Sequence, residues 1–180
     1  MEIPKVVERV LAGDRQAFAE VVTSYQAPLF GYLGRMGLPQ ARAEEIAQET
    51  FLRAWTRLAD FDSRRGSFST WLYTIAHRLA LNEIGRSATR LELAMTADYE
   101  AACDAPAPAD SLVAEQRRQQ LRAALLQLPA RDRAAVALAY IEDLALAEVA
   151  RIEGCTVGAI KTRLHRARRR LAALLEDNRE

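Results

Sequence analysis

Residues 156–171 read TVGAIKTRLHRARRRL and place Val157, Ile160, Leu164, Ala167 and Leu171 at steps of three and four. At about 100° per residue these side chains fall on one stripe, so the segment is constrained to an amphipathic helix with a single buried side. The other side carries Thr162, His165, Arg166 and Arg169, within a run that holds six Lys or Arg between Lys161 and Arg170. Such a helix is either a solvated charged face or one that docks on its own domain and presents its polar side to a DNA groove. The preceding residues favour the groove. Residues 143–153 (DLALAEVARIE) repeat Leu146, Val149, Ala150 and Ile152 at helical spacing, Gly154-Cys155 supplies a tight turn, and Thr156 is placed to cap the basic helix. Short helix, Gly turn and basic second helix form the helix-turn-helix pattern.

Charge placement supports a nucleic-acid partner for this end of the chain. The formal net charge is only +1, yet residues 156–175 carry six positive side chains and no negative ones, whereas residues 88–115 carry six acidic groups against Arg90 alone. A charged partner responds to placement more than to the sum. The composition is half hydrophobic, enough for a buried core, and no run approaches the roughly 18 to 20 apolar residues of a membrane span. The opening MEIPKVVERV lacks the basic-then-apolar layout of a signal peptide, so a soluble, cytoplasmic protein without direct membrane insertion is expected. Cys103 and Cys155 are not in a CxxC pair, and His77 and His165 lack a second ligand at metal spacing. No metal site, cofactor or disulfide framework is expected.

The chain of 180 residues shows no alternating strand pattern of any length, and the expected fold is all-α. Helices are expected over residues 6–11, 14–36, 41–58, 69–87, 111–128, 130–142, 144–153 and 156–176, with Gly37-Leu38-Pro39 and Leu128-Pro129 as breaks. Between residues 88 and 110 the periodicity fails, and ADYEAACDAPAPAD offers little that could bury a core. This divides the chain into two small helical domains, 1–87 and 111–180, joined by a flexible linker at 88–110, with the helix-turn-helix in the second. Each domain has a thin core at this size, so their arrangement is expected to depend on partners.

Residues 41–58 (ARAEEIAQETFLRAWTRL) carry two different faces. Ala43, Ala47, Phe51, Ala54 and Leu58 form an inward stripe, while Glu45, Gln48, Leu52 and Trp55 line another side with Glu49 beside them. Large apolar groups beside carboxylates and an amide suit a protein-docking face; the same residues would also serve as a second core stripe in a small bundle. The loop DFDSRRGSFS (60–69) then centres on Arg64-Arg65-Gly66, and the helix after it opens with Phe68, Trp71 and Tyr73 and continues through His77, Arg78, Asn82 and Arg86. Basic groups and amides with aromatics at the entrance suit single-stranded DNA, bound by phosphate contacts and base stacking. Phe68 and Trp71 as core, with a solvated Arg64-Arg65 loop, is the competing reading.

Taken together, these segments resemble the bacterial RNA polymerase sigma factors of the extracytoplasmic-function (ECF) group, over nearly the whole chain. AEEIAQETFLRAW (43–55) resembles the segment that docks on the β′ clamp helices of the polymerase, FSTWLYTIAHRLALNEI (68–84) the melting and minus-ten segment, and residues 126–171 the domain that reads the minus-thirty-five element. The resemblance implies core polymerase binding through Glu45, Gln48, Glu49, Leu52 and Trp55, with the β flap as a second contact. It implies minus-ten DNA binding through Arg64, Arg65, Ser67, Phe68, Arg78 and Asn82, the loop from Asp62 to Phe68 capturing an unstacked base. Minus-thirty-five DNA binding falls to Lys161, Thr162, His165, Arg166 and Arg169, with Arg163, Arg168 and Arg170 as phosphate anchors. The linker would thread toward the active-site cleft, and an anti-sigma factor is the expected inhibitor. The implied protein is a promoter-specific initiation factor, with no catalytic residues and no small-molecule substrate.

The chain departs from the family pattern at two places. Arg78 stands where the family commonly has Asn in the minus-ten helix, and Ala145 stands where it usually has Ser opening the first helix of the helix-turn-helix. Loss of such a cap costs about 1 kcal/mol unless another group, here Asp143, substitutes. Two other classes compete. A helix-turn-helix repressor or activator would explain residues 130–176 and leave the Glu45–Trp55 face without a role. A helical hydrolase finds no Gly-rich phosphate loop, no metal-spaced cluster and no nucleophile with its base.

Overall fold

The computed structural model describes residues 3–93 and 112–177, with side chains placed for 3–87 and 116–176. The described residues form helices and turns with no strand. The helices are α1 (Ile3–Leu11), α2 (Phe18–Arg35), α3 (Gln40–Thr56), α4 (Phe68–Leu93), α5 (Leu112–Leu126), α6 (Ala130–Val136), α7 (Leu146–Glu153) and α8 (Val157–Asp177). Short 3-10 turns at Arg15–Ala17 and Leu58–Asp60 precede α2 and follow α3, and α6 widens into a π turn over Ala137–Ile141. Helix positions match the sequence expectation within a few residues, with one larger difference. Helix α4 runs on to Leu93 rather than stopping at Ser87, because residues 88–93 (ATRLEL) contain neither Gly nor Pro to break it. The rest of the expected linker, from residue 94 on, lies outside the described residues.

The apolar side chains of the two halves are not segregated into two thin cores. One cluster joins Leu29, Tyr32, Leu33 and Met36 of α2 and its end, Ile46 of α3 and Ala76 and Ala80 of α4 to Leu125, Leu138, Val149, Ile152, Ile160, Leu164 and Ala167 of the C-terminal half. A second cluster, at the far end of the N-terminal half, packs Val6, Val7, Phe18, Val21, Ala54, Leu58, Phe68 and Leu72. Each half therefore removes apolar surface of the other from water, the dominant favourable term in such an arrangement.

Polar contacts fix how the halves meet. Arg133 of α6 is 7% exposed and donates to the carbonyls of Leu126 (2.9 Å), which ends α5, and of Met36 (2.7 Å), which ends α2. Glu142 accepts from the Tyr73 hydroxyl of α4 and, at 3.5 Å, from Arg35 of α2. Burial holds the Glu142 carboxyl above its ordinary range, and desolvation pushes both Tyr32 and Tyr73 upward.

Arg133→Leu keeps the apolar stem and deletes the guanidinium, leaving the Met36 and Leu126 carbonyls without their donor. An unfolding free energy lower by about 2–4 kcal/mol is expected, measured by urea denaturation.

Candidate nucleic-acid interface

Helix α7 and helix α8 are set by local chemistry legible in the chain. Gly154 closes α7 in the left-handed conformation (φ 64°, ψ 38°), which a residue with a Cβ adopts at a cost. The Cys155 amide then returns to the Ala150 carbonyl at 2.9 Å, and Thr156 Oγ1 caps α8 by accepting from the Ala159 amide at 3.2 Å. At the start of α7 the cap is not Asp143. That residue has a positive φ of 51° and is used in the turn itself. The Glu148 carboxylate accepts from the Ala145 amide at 3.2 Å, which is half of a capping box; the half that a hydroxyl at 145 would supply is absent, since the Ala145 methyl accepts nothing.

Helix α8 buries Ile160, Leu164 and Ala167 and leaves Lys161, Thr162, His165, Arg166 and Arg169 exposed. Two residues depart from the expected wheel. Val157 is 37% exposed and lies outside the core, and Arg163 is turned inward to pair with buried Glu153, so it does not stand free as a phosphate anchor. Arg166 projects from the exposed face, yet its guanidinium is held by both oxygens of Asp132 in a fork-on-fork pair. The Thr162 hydroxyl donates to the Gly158 carbonyl at 3.0 Å.

The residues assigned to the minus-ten site are divided by the structure. Arg65, Ser67 and Arg78 line one cavity of about 590 Å³, together with Arg57, Asp60, Phe61, Asp62, Trp71 and Thr74. Arg64 is exposed and doubles back onto Asp62, with two contacts of 3.0 Å, holding that carboxyl below its ordinary range. Phe68 is 4% exposed and packs against Phe61, Tyr25 and Trp71, so its ring anchors the loop and offers no stacking surface. Asn82 faces a different cavity, of about 360 Å³, shared with Glu45 and Glu49. Sequence reasoning misses Arg57, Thr74 and Arg151 at the larger cavity. Thr74 lies one helical turn before Arg78, and Arg57 caps α3 just ahead of the loop, so proximity could have found both. Arg151 comes from α7, where no local pattern marks it.

On the α3 face, Glu45, Gln48 and Leu52 are exposed, Leu52 to 57%. This excludes a core role for Leu52. Trp55 is half-buried, its ring edge-on to Phe18 with centroids 5.0 Å apart. Arg42 ties the face to α4 through Glu83 (3.2 and 2.6 Å) while pairing with Glu45, and Glu49 pairs with Arg53.

His77, expected to continue a basic stripe, faces inward. It is 2% exposed, and its Nδ1 lies 2.9 Å from the Tyr32 hydroxyl. Desolvation, with the charges of Arg131, Arg163 and Arg78, lowers its pKa to about 4. Glu153 nearby moves the opposite way, burial raising it to about 7 against the pull of Arg163 and Arg131. No group of His, Cys, Asp and Glu among the described residues is placed to hold a metal ion, and none of the described helices is long and apolar enough to cross a membrane.

Two family models match this chain in order: sigma-70 region 2 over residues 21–90 and sigma-70, region 4 over residues 118–171. The chain is 34% identical to the ECF RNA polymerase sigma factor SigW of Bacillus subtilis (strain 168), the match covering 98% of each. It is also 34% identical to the ECF RNA polymerase sigma factor BldN of Streptomyces coelicolor, over 97% of this chain and 66% of that one. Among solved structures, the sigma factor RpoE from Bartonella quintana, in complex with the anti-sigma factor NepR, gives a TM-score of 0.75 at 26% identity over 88% of this chain and 96% of that one. CnrH, in complex with the cytosolic domain of CnrY, gives 0.71 at 26% identity over 96% of each. A region 2 followed by a region 4, both helical and the second ending in a helix-turn-helix, defines a sigma-70 type of transcription initiation factor. Its full-length relatives are specific within that class, and the chain belongs to the ECF RNA polymerase sigma factors.

The protonation of His77 is testable because the chain has only two histidines. In the folded state His77 takes up its proton near pH 4, whereas the unfolded chain takes it up near 6.5. The unfolded state thus binds more protons between these values, and this group removes stability as pH falls from 6.5 towards 4. NMR titration of ring-labelled protein should show the buried imidazole neutral at pH 6 and titrating near pH 4.

Proposed function

We propose a division of labour along the chain. Residues 1–87 form the region 2 domain, which docks on the β′ clamp helices of core RNA polymerase through Glu45, Gln48, Glu49, Leu52 and Trp55. The same domain melts and reads the minus-ten element with Arg65, Ser67 and Arg78 at the large cavity, with Arg64 exposed on the adjoining loop, Phe68 beneath that loop, and Asn82 further along α4 at the separate cavity beside Glu45 and Glu49. Residues 111–180 form the region 4 domain, which meets the β flap and places Lys161, Thr162, His165, Arg166 and Arg169 in the minus-thirty-five major groove. Residues 88–110 connect the two. The chain acts in the cytoplasm, has no catalytic chemistry of its own, and is held inactive by an anti-sigma factor.

The observation that carries this reading is the exposure pattern of α8, with Ile160, Leu164 and Ala167 buried and Lys161, Thr162, His165 and Arg169 in solvent. A helix-turn-helix reads base edges with such a face. The exposed Leu52 on α3, beside the exposed Glu45 and Gln48 and the half-buried Trp55, supports the polymerase contact, since an aromatic anchor within a polar rim suits a protein interface. The solved relatives with an anti-sigma factor or the cytosolic domain of CnrY in the complex support the inhibitor. Core polymerase supplemented with the chain should initiate from a cognate promoter without another initiation factor. A chain that bound duplex DNA tightly alone and ignored core enzyme would instead be an ordinary helix-turn-helix regulator.

Arg166→Ala should weaken transcription from promoters that need the minus-thirty-five element by about 1–3 kcal/mol in apparent binding, if the guanidinium exchanges Asp132 for a base edge. Run-off transcription on wild-type and scrambled upstream elements measures it, and unchanged selectivity removes Arg166 from the site. Leu52→Asp should abolish association with core polymerase in size-exclusion chromatography while the far-ultraviolet circular dichroism stays that of the parent.

A further inference from the structure

Asp132, in the first turn of α6, is 2% exposed, whereas its partner Arg166 on α8 keeps 62% of its side chain in solvent. A guanidinium carries five N–H groups in a fixed planar fork with more than one usable edge. Here one edge is taken: Nε donates to one oxygen of Asp132 at 2.7 Å and Nη2 donates to the other. One N–H on Nη2 and both on Nη1 are left over, so the outer edge of the group keeps two parallel donors. Among the described residues, Arg166 is the one cation of the exposed α8 row that a buried carboxylate holds in this way.

The geometry points to Asp132 as a positioning residue that makes Arg166 a guanine reader, gripping the guanidinium by its Nε edge so that the outer edge meets a guanine in the minus-thirty-five major groove. This rests on the minus-thirty-five reading and adds to it the base that is read and a residue outside the recognition helix. Two parallel donors match guanine, whose O6 and N7 are both acceptors, whereas adenine sets the N6 donor beside its N7. An unheld arginine loses rotamer freedom when it binds. One already fixed by both oxygens of a carboxylate has lost that freedom on folding and meets the base in a single orientation. Exchange of Asp132 for the base is the other route to the same contact. Burial opposes it, because with Arg166 swung away the Asp132 carboxylate would be left in the interior without its pair, which is strongly unfavourable.

The test uses the full chain with core RNA polymerase and promoters whose minus-thirty-five element is randomised, the bound fraction being sequenced. The parent should enrich guanine at one position of one strand, and Arg166→Ala should erase that preference. Asp132→Asn keeps the side-chain volume but sets an NH2 group against one of the guanidinium donors. It should lower the guanine preference at that same position about fivefold to tenfold, within the range that a bidentate contact supplies, while the preferences at neighbouring positions are kept. An even loss across the element, as from a merely structural pair, would overturn the proposal. Tighter binding with the guanine preference intact, as from a carboxylate that only competes with DNA, would overturn it too. A guanine preference lost in Arg166→Ala but kept in Asp132→Asn removes Asp132 alone and leaves the minus-thirty-five reading standing. If Arg166→Ala leaves every preference unchanged, Arg166 itself leaves the site and the proposal goes with it. For the case that Asp132→Asn does not fold, the parent decides: NMR of the arginine-labelled full chain with a duplex carrying the selected element should show the Arg166 Nε–H still slow to exchange with water. Loss of that protection on DNA binding would mean exchange of partners and would sink the proposal.

Discussion

The Arg133 guanidinium sits where two helix ends meet. Helix α2 ends at Arg35 with Met36 as its cap, helix α5 ends at Leu126, and each terminus leaves carbonyls without an intrahelical donor and a partial negative charge. One buried cation answers both, across 97 residues of sequence in the case of Met36. A buried charge is costly unless hydrogen-bonded, and burial does lower the Arg133 pKa. The site is stable only while both helix ends are present together. Leu29, Leu33, Leu138 and Ile160 are buried in one cluster across the same seam, so the apolar sides of α2 and of the C-terminal half meet where Arg133 joins the helix ends.

Around that anchor the seam is a mixture of packed hydrocarbon and paired charge. Glu142 is reached by Tyr73 and Arg35, Glu153 by Arg163, and Asp132 by Arg166. Asp132 and Glu153 are nearly fully buried, so their arginine partners are held in place more firmly than surface ion pairs would be. This explains why Arg163, on a helix otherwise rich in outward arginines, contributes to the fold and not to the solvent face.

Much of this architecture is legible in the sequence where the determinants are local. The helical periods, the Gly154 turn, the Thr156 cap and the buried side of α8 all depend on residues within a few positions of one another. The helix-turn-helix residues are readable for the same reason, whereas periodicity leaves Leu52 open between a docking face and a second core stripe, and its exposure is decided by the packing of α2 and α4 on the other sides of α3. What escapes the sequence lies between distant segments: Arg133 with Met36, Glu142 with Tyr73, Glu148 with Ser67, and Arg151 beside Gly66. None of these pairs has a spacing that marks it. Near misses have smaller causes. His77 is one residue, or about 100°, from Arg78, and that rotation carries it from the solvent face into the seam. Asp143 reads as the substitute cap for α7, but its backbone makes the turn, and the helix start keeps only the return bond from the Ala145 amide to Glu148. Phe68 reads as an entrance aromatic because nothing nearby in sequence reveals the ring cluster of Tyr25, Phe61 and Trp71 that encloses it.

The opposite displacements of His77 and Glu153 have a consequence for proton traffic. On folding, the imidazole gives up affinity for a proton while the carboxyl gains it, and the windows overlap between about pH 4.5 and 6.5. Across that interval one group releases what the other takes up, so these two residues together leave folding almost without net proton exchange. A mildly acid shift therefore passes through this part of the seam largely unfelt, although each residue taken singly would have made it an acid- or base-sensitive joint.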